Sequence, residues 1–327
     1  CQRYRMDHNR CCSSRLPVTL SLHHIEGRTV VIDLTHGNKF KAAGALRLWY
    51  HEQVMINALT FDLEDWFCVS NLSPFISRNE WDLQEQRAYH NTKRILSLLK
   101  RYDTRATFFI LGWIAERLPE LIRDIDSEGH EIATHGYSHR VLSEMTAEDF
   151  DRDIARSIEI IRPLIREDII GFRAPTFSIR ADTLWALNVL KKHGIIYDSS
   201  VFPISFIAGS KGIPNLTLAV FRHTNGIIEF PLSCAEVLFL RVPCSGGCFF
   251  RLFPYNLTRH LLRRVNRDGR PFIFYLHPWE IDPDQPRMKM PFIDSMRHYT
   301  NLDRTYGRLE RLLQDFQFTS IRKVLGI

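Results

Sequence analysis

The chain has no run of eighteen or more apolar residues, so no membrane-spanning helix is expected from it. It has no clustered basic stretch in its main body. Residues 1–54 hold eight Lys or Arg against four Asp or Glu, which leaves only +2 of the net +6 for residues 55–327. Nucleic-acid surfaces need basic residues gathered and interleaved with aromatic or small polar ones, so a nucleic-acid partner is not expected. Paired cysteines are scarce too. The seven are Cys1, Cys11, Cys12, Cys68, Cys234, Cys244 and Cys248, an odd number at irregular spacing that argues against a disulfide framework. "PCSGGC" lacks a second cysteine pair, so a glycine turn fits it better than a zinc knuckle. The opening "CQRYRMDHNRCC" lacks an apolar core with a small-residue cleavage site and reads as no secretory signal, which sets a cytoplasmic expectation.

Hydrophobic residues make up 45% and charged residues 24% of the 327, enough for a folded protein with a sizeable core. Residues 1–54 have weak periodicity, although "TVVIDLTHG" can form a strand. At Met55 the pattern sharpens into "MINALTFDLEDWF". The expected division is an extension of doubtful function over 1–54, read as a mis-called start, and a catalytic domain over 55–327.

From Met55 onward strands and helices alternate. "INALTFD", "ATFFIL", "HEIATH", "IIGFRAP", "IIYDSS", "NGIIEFPLS" and "PFIFYLHP" read as strands. "EQRAYHNTKRILSLLKRY", "AERLPELIRDIDSEG", "TAEDFDRDIARSIEIIRPLI", "RADTLWALNVLKKHG" and "LDRTYGRLERLLQDF" read as helices, with Thr146 as an N-cap and Gly129 and Gly194 as stops. Repeated strand–helix units imply a parallel sheet, a closed barrel or a doubly wound layer. Polar residues follow at least five strands rather than one switch point, and this favours a barrel with its chemistry on the C-terminal rim.

Those strand ends present Asp62, Glu64 and Asp65 in "TFDLEDW", His135 and His139 in "THGYSH", Arg173 in "FRAP", Asp198 in "YDSS" and His277 in "YLHPWE". An acid after a strand is more often a cap, and a lone histidine more often packs or hydrogen-bonds. Five such ends on one rim weigh against that reading. If "HGYSH" begins a helix, two imidazoles four apart share a face. Two histidines plus a carboxylate form a three-ligand site with an open position for water, as in catalytic zinc centres. Such an ion lowers the pKa of its water from 15.7 toward about 7 and polarises a carbonyl.

"TFDLEDW", "HGYSH", "RAP" and "LHP", in that order and spacing, resemble the polysaccharide deacetylases of carbohydrate esterase family 4. "SGGCFFRLFPY" and "FYLHPWEIDPDQPR" resemble more narrowly the bacterial branch associated with exopolysaccharide biosynthesis. The resemblance covers about residues 55–325. It implies a distorted (β/α) barrel and metal-dependent removal of acetyl from N-acetylhexosamine units. Carried over, it implies Asp62 as catalytic base, His135 and His139 as metal ligands, Arg173 as the arginine that aligns the base, and His277 as catalytic acid. The family's usual second Asp is replaced by Leu63, so the third ligand is Glu64, with Asp65 as the alternate; strand alternation puts Asp62 and Glu64 on one face. A backbone N–H near Thr176 is expected to steady the oxyanion. Trp66, Phe177 and Trp279 can stack on sugar rings or pack the rim, and Asp198 and Glu229 can orient His277 or bind a sugar hydroxyl.

The expected cofactor is one divalent ion, zinc first, with cobalt or nickel also accepted by this donor set. The expected partner is an N-acetylated glycan. Two rival readings remain: a hydrolase of a small amide or O-acetyl ester on the same scaffold, and a non-catalytic glycan binder. The polymer and the oligomeric state are not legible.

Overall fold

A computed structural model describes residues 55–204, 213 and 216–327 in full and the backbone of Leu20–Ile25 and Arg28–Asp33. Two compact units divide the chain, Cys1–Val54 and Met55–Ile327. In the first, β1 (Leu20–Ile25) and β2 (Arg28–Asp33) pair antiparallel from Leu20↔Asp33 to Ile25↔Arg28. The strand read in "TVVIDLTHG" therefore exists as β2; the rest of the extension lies outside the described residues.

The second unit is built on β3 (Ile56–Leu63), buried at every position but Ile56. A strand covered on both faces reads as continuous apolar sequence, and "INALTFDL" does so until its acids. Parallel neighbours flank it: β12 (Ile273–Leu276) on one side and β4 (Thr107–Ile110) on the other. The sheet continues in parallel through β5 (Glu131–Thr134), β6 (Gly171–Phe172), β7 (Tyr197–Asp198) and β9 (Ile228–Glu229). An antiparallel edge, β8 (Phe221–Arg222), ends the row, and β13 (Gln317–Thr319) adds to the start of β3. A separate hairpin joins β10 (Cys234–Val237) to β11 (Leu240–Pro243). The result is a curled parallel sheet with interleaved helices, the parallel sheet that the alternation implied and the distorted (β/α) barrel that the resemblance implied.

The helices follow their sequence logic. In α1 (Ala88–Arg101), Ile95, Leu96, Leu98 and Leu99 are all buried, each worth about 1.5–3 kcal/mol of transfer from water. The stretch 115–129, read as one helix, is part of two: α2 (Gly112–Arg117) and α3 (Pro119–Ser127). Pro119 lacks an N–H and forces Leu118 out of helical geometry, to φ −124° and ψ 53°. Thr146 caps α4 (Ala147–Ile161) by accepting from the Asp149 N–H, completing a capping box. Gly129 and Gly194 take φ of 79° as helix stops. Later helices are α5 (Ala186–Lys192), α6 (Gly247–Leu252), α7 (Tyr255–Arg267), α8 (Phe292–Tyr299), α9 (Leu302–Asp315) and α10 (Ile321–Leu325). Gly246, at φ 105°, makes the turn expected in "PCSGGC", and Cys68, Cys234, Cys244 and Cys248 are free thiols.

Candidate metal centre

Parallel strands end on the same rim, so residues far apart in sequence converge there. Asp62 lies near the end of β3 with Glu64 just beyond, His135 follows β5, Arg173 follows β6, and His277 follows β12. Asp62, Glu64, His135, His139 and Arg173 are all buried.

Glu64 Oε1 lies 3.0 Å from His135 Nε2 and 2.9 Å from His139 Nε2. Among the described residues these three form the one group of His, Cys, Asp or Glu with metal-ligand spacing. His135 Nδ1 faces the Arg173 carbonyl oxygen at 2.8 Å, so this nitrogen must carry a proton. A neutral imidazole then presents a bare lone pair on Nε2 to a carboxylate oxygen. Two lone pairs at that distance repel unless a proton or a cation lies between them. The donor set therefore fits a divalent ion, and the Arg173 carbonyl orients its histidine in the manner of outer-shell partners in metal sites.

The histidine pair is not presented by a helix. "HGYSH" is an irregular turn in which Gly136 takes φ 73° and His139 φ 52°. Asp153 of α4 accepts from the Tyr137 N–H (2.7 Å), the Ser138 N–H (3.1 Å) and the Ser138 hydroxyl (2.5 Å). From the other side Arg78 donates to the Ser138 and His139 carbonyls, at 2.7 and 3.0 Å. Asp65, the alternate ligand, points away: its carboxylate accepts N–H bonds of 2.8–2.9 Å from Trp66, Arg87 and Ala88, at the start of α1. Burial pushes it up to about 6.

Asp62 stands beside the donor set. Its Oδ1 accepts from Arg173 Nη1 at 2.5 Å. That guanidinium also donates to the Thr60 hydroxyl and to Ser199, and lies 4.1 Å from the Phe109 ring. His277 Nε2 is 3.8 Å from both Asp62 Oδ2 and Glu64 Oε1. Its Nδ1 meets Glu280 Oε2 at 3.0 Å. Burial alone pushes the His277 imidazole down, but the Glu64, Glu280 and Asp62 carboxylates outweigh it and hold it up to about 9.

The supporting residues divide. Thr176 sits at φ 55° and ψ 24°, its hydroxyl bonded to Ser70. Trp279 is only 6% exposed, stacked on His298 at 4.4 Å and against His277 at 5.4 Å, so it walls the histidine rather than offering a sugar platform. Trp66 is likewise buried, its indole N–H donating to the Glu85 carbonyl, and half-buried Phe177 packs on Tyr275 and Phe202. Asp198 and Glu229 do not reach His277. Asp198 accepts from Ser200, Glu229 from the Val201 N–H, and burial drives both carboxyls up, Glu229 to about 7. They fix the strand-end loop that carries Ser199 to Arg173.

Three residues escaped the sequence reading: Glu280, Arg251 and Arg78. Only Glu280 left a signal, since His-Pro-Trp-Glu has capping-box spacing, and its side chain returns to the His277 N–H at 3.0 Å.

A curled parallel sheet whose rim gathers two histidines, a glutamate, an Arg-paired aspartate and a carboxylate-backed histidine defines a β/α-barrel protein with the donors of a metal site. Residues 80–197 match the family described as "Polysaccharide deacetylase", and residues 199–326 match a "Domain of unknown function (DUF3473)". The first match covers about a third of the chain, and over that stretch the chain is similar to the polysaccharide deacetylases. A peptidoglycan deacetylase of Helicobacter pylori is 34% identical over 113 residues, 35% of this chain and 38% of that one. A peptidoglycan-N-acetylglucosamine deacetylase of Bacillus cereus is 38% identical over 73 residues, covering 22% and 26%. A chitooligosaccharide deacetylase of Sinorhizobium fredii is 34% identical over 85 residues, covering 26% and 40%. The chain thus spans between a quarter and two fifths of the length of these relatives. A crystal structure assigned to the polysaccharide deacetylases, from Mycobacterium smegmatis, shares the fold at TM-score 0.53 and 18% identity, over 82% of this chain and 88% of that one.

Proposed function

We propose that the protein is a metal-dependent hydrolase that removes N-acetyl groups from N-acetylhexosamine units of a polysaccharide or its precursor, in bacterial exopolysaccharide biosynthesis. The observation that carries this reading is the Asp62–Arg173 pair and His277 standing together beside the Glu64, His135 and His139 donor atoms. The names of the relatives, peptidoglycan and chitooligosaccharide deacetylases, support the substrate class.

A divalent ion held by Glu64, His135 and His139, zinc first, supplies Lewis-acid polarisation of the acetamide carbonyl and a more acidic water. Asp62 accepts the proton of the attacking water, its carboxylate fixed by Arg173. His277 donates a proton to the departing nitrogen through Nε2 while Glu280 keeps its Nδ1 side occupied. In this reading a backbone N–H near Thr176 steadies the developing oxyanion. General acid and base steps of this kind contribute about 10²–10⁴-fold each.

The test is acetate release from N-acetylglucosamine oligomers by the zinc-loaded full chain, beside Asp62→Asn and chelated controls. Release is expected, falling by about 10²–10⁴-fold in Asp62→Asn with zinc still bound. Undiminished release from Asp62→Asn removes Asp62 as base. Release from O-acetyl esters or small amides alone redirects the substrate assignment.

A further inference from the structure

We propose that the β10–β11 hairpin is a membrane-surface anchor that inserts its tip into the interfacial layer of an anionic bilayer. The inference stands on a different part of the molecule and does not depend on the reaction assigned above.

The hairpin register pairs Val237 with Leu240, leaving a two-residue turn of Leu238 and Phe239. Both take left-handed backbone, at φ 49° and 68°, which makes this a type I′ turn. Such turns favour Asn-Gly, because a branched or aromatic side chain is strained at positive φ. Here two large apolar side chains occupy the strained positions and gain no compensating burial. Leu238 is 83% exposed, Phe239 105% and Leu240 69%. Neither local geometry nor core packing accounts for this choice, and strain held at a surface without packing return points to an outside contact.

The shape of the feature selects the partner. Three side chains on a protruding turn offer at most roughly 500 Å². A specific protein contact uses roughly 800 Å² from each partner, so a second copy or another protein is poorly served. A bilayer interface requires no complementary surface, only apolar side chains beside basic ones. The basic part is at hand. Helix α7 packs against β10 and carries Arg259, Arg263, Arg264 and Arg267 with no acid in its own length; Asp315 of α9 pairs with Arg259 at 3.4 Å and Arg263 at 3.2 Å, so one carboxylate offsets part of this charge and the helix stays net basic. Arg263 and Arg267 are exposed. Basic residues close to an anionic leaflet add attraction that fades within a Debye length. No described helix is long and apolar enough to cross a membrane.

The experiment is co-sedimentation of the full chain with vesicles of phosphatidylglycerol and phosphatidylethanolamine, and with phosphatidylcholine vesicles. The wild type is expected to sediment with the anionic vesicles. Leu238→Asn combined with Phe239→Gly gives the turn its preferred residues, so the thermal midpoint should hold or rise while vesicle affinity falls at least tenfold. Arg263→Glu with Arg267→Glu should weaken binding to anionic vesicles, and Leu83→Ser, at an exposed apolar residue elsewhere, should not. Three results overturn the proposal: a wild type that stays in the supernatant, a turn variant that binds like the wild type, or vesicle-free wild type eluting as a larger species than the turn variant, which would assign the tip to self-association.

Discussion

Burying a carboxylate beside a guanidinium strips water from both ions, so the pair persists only where their geometry replaces what water supplied. Glu280 and Arg251 meet this condition: each is 1–2% exposed, with Arg251 Nε 2.9 Å from Glu280 Oε1. The remaining Arg251 donors reach the carbonyls of Arg297, His298 and Thr300. Gly247 is required by the same pair, because a Cβ there would stand 1.8 Å from a Glu280 carboxylate oxygen. Burial pushes the Glu280 carboxyl up, but Arg251 and His277 prevail and take it down to about 2. Glu280→Gln is therefore expected to destabilise the protein by about 3–5 kcal/mol, since it leaves the Arg251 charge buried without a counter-ion. Adding Arg251→Met should recover much of that loss, as read from urea unfolding of the singles and the double. A harmless Glu280→Gln would mean that solvent reaches Arg251. At this scale the sequence was partly legible. Asp62, Glu64, Arg173 and His277 announce themselves as polar residues ending apolar strands. Arg251 does not, because an arginine within an amphipathic stretch reads as surface until the fold wraps three carbonyls around it.

The turn from His135 to His139 shows why spacing alone misleads at the scale of an element. Two histidines four apart share a helical face, yet here the approach of their Nε2 atoms is made by two left-handed residues, Gly136 and His139. A histidine at φ 52° is held there against its backbone preference, and the holding groups are Asp153 below and Arg78 above. Nothing local reveals them: Arg78 lies 60 residues before Ser138. Since Arg78 is on the surface, removing it should spare the fold but loosen the ligand. Arg78→Ala is expected to weaken zinc binding by about 10–100-fold, the usual range for partners that support a metal ligand. Competition with a chromophoric chelator measures it, alongside the thermal midpoint of the metal-free protein. Unchanged zinc affinity would assign the turn's geometry to Asp153 and Gly136 alone.

Across the whole molecule, the two family matches, 80–197 and 199–326, do not correspond to two independent cores. Strand β12, from the second match, pairs with β3 over Ile273–Leu276, and β13 pairs with β3 over Gln317–Thr319. The strand that carries Asp62 therefore has neighbours from both matches, β4 from the first and β12 and β13 from the second. The site is divided in the same way: His135, His139 and Arg173 come from the first match, His277 and its partner Glu280 from the second. Strand–helix alternation made the sheet legible, but α7 and the β10–β11 hairpin were missed: the hairpin strands are too short to show a period, and the regular α7 face of Tyr255, Thr258, Leu261, Leu262 and Val265 is set among so many arginines that the stretch reads as polar. Parallel pairing with a remote strand is a long-range contact, repaid only once both segments are present. Residues 55–198 alone would leave β3 without β12 and expose the apolar side chains now covered by Phe272, Phe274 and Leu276, which are fully buried. This segment is expected to show no cooperative thermal transition by circular dichroism, whereas 55–327 melts in one step. A sharp transition from 55–198 would mean that the second match is an appendage to a self-sufficient barrel, and His277 would then be a residue delivered to a finished site rather than part of its construction.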